Sequence, residues 1–234
     1  MKSREVVLSE LEKKLCLKFK SISHLDIALT HSSFANQKKH IEYNERMEFL
    51  GDSVLQLTIS QYLFENFRNK LEGELTKIRS LIVCENSLYE IATKWELGRY
   101  LNMSKGEELT GGRERVSILA DAVEAIIASI YLDKGFEAAR DFILTNFKDI
   151  ISKASTNEIV LDYKTKLQET LQKNGEVGIC YNMIGFDGPP HRRIFYMEAL
   201  IDGESMGKGE GFSKKEAEQN AAKDSIINLE AENG

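Results

Sequence analysis

Cysteine, histidine, proline and net positive charge are all scarce in this chain, and each shortage excludes something. Cys16, Cys84 and Cys180 are isolated, odd in number and without CxxC spacing. That rules out a disulfide framework and leaves free thiols in a reducing cytosol as the simplest account. Four scattered histidines offer no zinc pattern, and His24 and His31 read as structural. Pro189 and Pro190, the only prolines, sit together in one loop. No apolar run reaches the ~18 residues of a membrane span. The opening MKSREVVLSELEKKL is charged and amphipathic rather than a signal peptide. Lys and Arg number 31 against 37 Asp and Glu, a net charge of −6. Neither part of the chain escapes that sign. Residues 1–152 hold 21 bases against 23 acids, and residues 153–234 hold 10 against 14. Any phosphate-binding surface must therefore be a local patch.

What is present in abundance is helical periodicity, and two stretches carry carboxylates on it. In Asn44-Glu45-Arg46-Met47-Glu48-Phe49-Leu50-Gly51-Asp52-Ser53-Val54-Leu55-Gln56-Leu57, Glu45, Glu48 and Asp52 fall at i, i+3 and i+7. On a helix they share one face. Stacked like charges cost a few tenths of a kcal/mol per pair, which a bound cation would offset. Taken alone, these three acids read equally well as a solvated acidic face. The second stretch, Ile118 to Leu132, is apolar almost all round and marks a buried helix. Its only acids, Asp121 and Glu124, are again at i and i+3. Carboxylates on a buried helix need partners. Two helices that each offer carboxylates from one face point to a hard-cation site with oxygen ligands, a donor set that suits Mg²⁺.

Residues 1–20 and 23–34 read as helices, and residues 35–43 as a loop. Asn44 is placed to cap the first acidic helix, which runs through Phe64. Glu72-Gly73-Glu74 breaks the pattern, and Leu75 to Lys94 forms one helix with Leu75, Ile78, Leu81, Ile82, Leu88, Ile91 and Ala92 as its stripe. Residues 102–116 are Gly-rich and charged, and are expected to be a mobile loop beside the acidic site. A helix from Glu137 to Ile151 closes an all-α region, and Ser152 to Glu158 reads as a linker. The period then changes. A helix over Asp162–Lys173 is followed by strands over Gly178–Phe186, Arg193–Asp202 and Ser205–Glu210, and by a helix from Ser213 with Glu216 in capping-box position. Lys214 and Lys215 in a first turn oppose the helix dipole unless an anion sits there. Gly209, Gly211 and the cap are expected to build a pocket for it. Solvated surface lysines are the alternative.

NERMEFLGDSVL, residues 44–55, is very similar to the signature of ribonuclease III, and ILADAVEAIIASIYLD, residues 118–133, resembles that family's second acidic motif. The α-β-β-β-α order, the GPPH loop and KKEAEQNAA resemble a double-stranded-RNA-binding domain. The resemblance implies an all-α endonuclease domain over 1–151, a linker over 152–159 and an RNA-binding domain over 160–230. It implies an Mg²⁺-dependent endoribonuclease, with Mn²⁺ able to substitute, that cuts RNA duplexes to 5′-phosphate and 3′-hydroxyl ends with short 3′ overhangs. Glu48, Asp52, Asp121 and Glu124 would be the metal ligands, with Asp52 and Glu124 catalytic. The metal would deprotonate and orient a water for in-line attack. Glu45 and Phe49 would serve a homodimer, with intramolecular packing the alternative for Phe49. Thr165, Gln168, Glu169, His191, Ser213, Lys214 and Lys215 would contact RNA through its A-form shape. A cytoplasmic protein processing ribosomal-RNA precursors and other structured transcripts is expected. The rival is a duplex-RNA-binding protein with a silent helical domain, and retention of all four acids argues against it.

Overall fold

A computed structural model describes residues 3–37, 41–156, 163–172, 177–189 and 193–232. Its contacts divide the chain into two compact units, Met1–Ile159 and Val160–Gly234. Among the described residues no helix is long and apolar enough to cross a membrane.

The first unit is helical. Its elements are α1 (Arg4–Lys14), α2 (Ile22–Ala28), α3 (Ser32–Ala35), α4 (Glu45–Asn66), α5 (Glu72–Ile82), α6 (Glu85–Lys94), α7 (Lys105–Leu109), α8 (Val116–Lys134), α9 (Phe136–Asn146) and α10 (Lys148–Ser155). α8 is the axis of the unit, with α4, α6, α2 and α9 packed around it. That is why it is apolar almost all round: Ile118, Leu119, Ala122, Val123, Ile126, Ile127 and Ile130 are all buried. The single core continues through Leu11, Leu25, Leu55, Ile59, Leu63, Ile82, Ile91, Leu97, Ile143 and Phe147.

Several boundaries differ from the periodicity. The Leu75–Lys94 stripe is two helices, because Val83 leaves helical geometry and Cys84 is extended (φ −74°, ψ 156°) before α6 begins. Ser87 Oγ bonds the Leu81 carbonyl at 2.7 Å and fixes that corner. Glu72-Gly73-Glu74 starts α5 instead of breaking the chain, since the Glu74 carboxylate accepts the Leu71 N–H at 3.0 Å. Residues 23–34 are likewise split, with His31 Nδ1 accepting the Ser33 N–H at the start of α3. Glu137–Ile151 divides at Phe147, and α10 extends through Ser152–Ser155, residues that read as linker.

In the second unit α11 (Tyr163–Gln172) precedes β1 (Ile179–Asp187), β2 (Ile194–Ile201), β3 (Glu204–Gly211) and α12 (Lys214–Glu232). The strands form one antiparallel sheet in the order β1-β2-β3. Asp202 and Gly203 both have positive φ, as the two-residue turn between β2 and β3 requires. Met197 and Ala199 point into the core with Phe195 and Ile201 beside them, against Leu167 of α11 and Ala217, Ala221, Ala222 and Ile226 of α12.

Candidate metal centre and nucleic-acid surface

The acidic site exists because α4 and α8 touch backbone to backbone. A Cβ on Gly51 would lie 1.8 Å from the carbonyl oxygen of Glu124, so only glycine lets the helices cross this closely. One turn before Gly51, α4 presents Glu48. At the crossing, α8 presents Asp121 and Glu124. Oxygens of these three side chains lie within 4.8 Å of one another, all half-buried. Asp52, one turn further along α4, lies outside that trio: both its oxygens accept from Gln56 Nε2, at 2.9 and 3.0 Å. It is still close enough that its charge acts on Glu124. Glu45 is exposed, at the start of α4.

The electrostatics are those of crowded like charges. Burial, with the charges of Asp52, Glu48 and Asp121, pushes the Glu124 carboxyl up to about 8. Burial, then Glu48, Glu85 and Glu45, pushes Asp121 up to about 6. Glu48 is raised by burial and by Glu45 and Asp52. Each charge that shifts these three is another carboxylate, so among the described residues no cation offsets them. Partly buried carboxylates persist in such an arrangement when a cation completes it. An all-oxygen, multiply anionic donor set fits a hard divalent ion and is a poor fit for soft metals.

Two expectations about this region need correction. The Asn44 side chain makes no cap bond. Asn44 is buried, and its backbone N–H donates to the Thr30 carbonyl at 2.9 Å. Residues 102–116 are not a loose loop. Ser104 Oγ caps α7. Arg113 Nη1 donates to the Gly98 and Leu101 carbonyls at 2.6 and 3.0 Å, and Arg113 pairs with Glu108 at 2.7 Å. Arg115 pairs with Glu107. Two arginines thus stitch down a segment whose glycines suggested mobility.

On the second unit Thr165, Gln168 and Glu169 are exposed on α11, and Ser213, Lys214 and Lys215 are exposed at the start of α12. His191 lies outside the described residues. Ser213 Oγ accepts the Glu216 N–H at 3.1 Å, and Glu216 accepts in return from Phe212 N–H at 2.8 Å, one residue before the capping-box position. The glycines of β3 have a different task from the anion pocket expected of them. Added Cβ atoms at Gly207, Gly209 and Gly211 would lie 2.4, 2.2 and 2.7 Å from the backbone nitrogens of Ser225, Ala221 and Ala217. Three glycines at period two clear one face of β3 so that α12 lies directly on it. That spacing was visible in the sequence and was the signal for the close approach.

Phe49 is 78% exposed, Phe64 75% and Leu57 56%. Their spacing places all three on one side of α4, so Phe49 is not an intramolecular core residue.

The family model described as Ribonuclease-III-like matches residues 22–151, and the double-stranded RNA binding motif matches residues 163–229. The protein named Ribonuclease 3 of Clostridium perfringens is 61% identical over 226 residues, covering 97% of this chain and 95% of its own. Ribonuclease 3 of Clostridium beijerinckii is 66% identical over 223 residues, covering 95% and 96%. Among solved structures, the nuclease domain of ribonuclease III from Campylobacter jejuni superposes with a TM-score of 0.58 at 44% identity. It covers 61% of this chain and 96% of its own, and its description concerns flexibility in a region involved in dimer formation.

Proposed function

The chain belongs to the ribonuclease III family, and from that premise we propose that Glu48, Asp52, Asp121 and Glu124 form its catalytic centre and hold Mg²⁺. The protein is an endoribonuclease acting on double-stranded RNA. The observation that carries the site assignment is the convergence of Glu48, Asp121 and Glu124 at the Gly51 crossing.

Held by these four carboxylates, Mg²⁺ would supply positive charge against the scissile phosphate and acidity to a water for in-line attack; Mn²⁺, with the same donor preference, would substitute for it. Glu48 and Asp52 hold the α4 side of the site, with Gln56 orienting Asp52. Asp121 and Glu124 hold the α8 side. A divalent cation that binds carboxylates pushed up by burial and by one another's charge displaces their protons at neutral pH. The products carry 5′-phosphate and 3′-hydroxyl ends.

The exposed apolar side of α4 supports assembly. Phe49, Leu57 and Phe64 form a hydrophobic stripe of the kind a second copy covers. In a two-fold homodimer each protomer cuts one strand, which leaves short 3′ overhangs. Glu45, at the start of the same helix, belongs to that signature. Thr165, Gln168 and Glu169 face one minor groove, His191 reaches the next, and Ser213, Lys214 and Lys215 meet the phosphates between. The three free thiols suit a reducing cytoplasm, where precursors of ribosomal RNA and other structured transcripts are the substrates.

The test is to incubate the full chain with a long RNA duplex in Mg²⁺ and, separately, in EDTA. Mg²⁺-dependent shortening to small duplexes, with single-stranded RNA and duplex DNA spared, is expected. Binding without cutting in either Mg²⁺ or Mn²⁺ would favour an RNA-binding protein with a silent helical unit.

A further inference from the structure

We propose that Arg193, laid flat on the ring of Phe186, is a backbone anchor for the RNA duplex, and that Phe186 is its positioning residue. This inference rests on the duplex-RNA reading and extends it to a pair that neither the sequence motifs nor the family matches single out.

The pair stands where β1 runs out and β2 begins, at the loop end of that hairpin rather than at its open Ile179–Ile201 end. The Arg193 guanidinium lies over the Phe186 ring, 4.4 Å from its centroid. Phe186 is 54% exposed even with the guanidinium on its face. Its own ring packs against Phe195 at 6.5 Å, tilted by 53°, so the platform beneath the arginine is tied to the core. Arg193 Nε is enclosed and has no hydrogen-bond partner among the described residues. The acid nearest along β1, Asp187, is already engaged by the Gly188 N–H at 2.7 Å. The guanidinium is thus held by stacking on an aromatic face, with no hydrogen-bond partner among the described residues.

Strand register says where this cation stands. Phe186 pairs with Phe195, and Phe195 pairs with Gly211. Gly211 is in turn covered by the first turn of α12, since a Cβ there would lie 2.7 Å from Ala217 N and from Glu216 Cγ. Phe186, Phe195 and Gly211 therefore form one row across the sheet, and the start of α12, with Lys214 and Lys215, lies over the end of that row. Arg193 belongs to the same end of the module as the two lysines and extends their charge towards the loop. In a chain with net charge −6, a local patch of this kind is the way to meet a polyanion. The ligand that fits is a phosphodiester. A planar fork of N–H donors matches two phosphate oxygens, and holding it on a ring lowers the ordering entropy lost on contact. Lysine presents a compact point charge and cannot reproduce that geometry.

The experiment is binding of the full chain, in EDTA so that no cleavage intervenes, to an RNA duplex of about 20 base pairs, longer than the roughly 16 that one such module spans. Dissociation constants are measured across a salt series for the parent, Arg193→Ala, Arg193→Lys and Phe186→Leu, with thermal melts alongside. Arg193→Ala is expected to weaken binding roughly five- to tenfold and to reduce the slope of log affinity against log salt by about 1, the signature of one lost phosphate contact. Arg193→Lys keeps the charge and the slope but recovers only part of the affinity. Phe186→Leu behaves like Arg193→Lys, and Phe186→Leu combined with Arg193→Ala is no weaker than Arg193→Ala alone. Affinity and slope unchanged in Arg193→Ala would overturn the proposal. So would full recovery by Arg193→Lys with Phe186→Leu silent, which would leave a plain surface charge and no anchor. A lower melting temperature with an unchanged slope would make the pair structural and equally overturn it. A parent chain that binds no RNA duplex would instead refute the duplex reading, and this inference with it.

Discussion

Replacing Glu124 by Gln should stabilise the metal-free protein above neutral pH. In the folded chain the Glu124 carboxyl is pushed from 4.5 up to about 8. Between those values the folded state holds a proton that the unfolded chain has released, so stability falls as pH rises through the window. Below pH ~4.5 both states are protonated and nothing is lost. A fully sequestered group displaced this far would cost about 5 kcal/mol by pH 8.5. Glu124 is only half-buried, so solvent screening and sharing of the repulsion among four carboxylates leave roughly 1.5–2 kcal/mol. For a unit of this size that is about 4–6 °C in melting temperature. The assay is differential scanning calorimetry in EDTA at pH 5 and pH 8.5. The parent should lose about 4–6 °C more than Glu124→Gln over this interval. Saturating Mg²⁺ should then raise the parent at pH 8.5 and leave the variant nearly unmoved. Equal pH dependence of the two proteins in EDTA, or a variant less stable than the parent at pH 8.5, would refute the crowded-carboxylate picture.

Other perturbations probe other joints. Gly51→Ala sets a methyl group 1.8 Å from the Glu124 carbonyl; the helices must part, costing about 1–3 kcal/mol and nearly all cleavage, while RNA affinity measured by gel shift stays near that of the parent. Gly209→Ala drives a Cβ to 2.2 Å from Ala221 N. It should lower duplex affinity at least about tenfold by lifting α12 from β3, with cleavage of saturating substrate much less affected. Phe49→Ala removes a 78%-exposed ring, and analytical ultracentrifugation should find a weaker dimer with no loss of melting temperature in the dissociated chain. Unchanged association would return Phe49 to the class of incidental surface apolars.

Both acidic motifs were legible in the sequence because their chemistry is written in helical spacing. Carboxylates at i, i+3 and i+7 on α4, and at i and i+3 on an otherwise apolar α8, define two faces before any coordinates exist. Their convergence was not legible, because it depends on a third residue with no charge: Gly51, whose missing Cβ lets the backbones meet. Helix ends were less readable for a similar reason. The stripe from Leu75 to Ala92 runs unbroken across the corner at Val83 and Cys84, since both helices face the same core. Glu74, read as part of a breaker, is a cap that depends on one carboxylate reaching the Leu71 N–H. Residues 102–116 looked mobile by composition, and Arg113 and Arg115 hold them through bonds to partners that are not evident from spacing. In the second unit Phe195, Met197, Ala199 and Ile201 alternate along the sequence and form the core face of β2. The glycines of β3 carried the complementary message, that a helix lies against them, and were misread as an anion pocket because two lysines follow.

The most direct test of the catalytic assignment is to measure cleavage rate and affinity on the same RNA duplex, in the same Mg²⁺ buffer, for the parent and for Glu124→Gln. The site described here predicts affinity within about twofold and a cleavage rate lower by at least about 100-fold, because the substitution removes a ligand at the α4–α8 crossing and leaves the second unit untouched. A variant that cuts at the parental rate would contradict it, and the acids of α8 would then be no part of the catalytic centre.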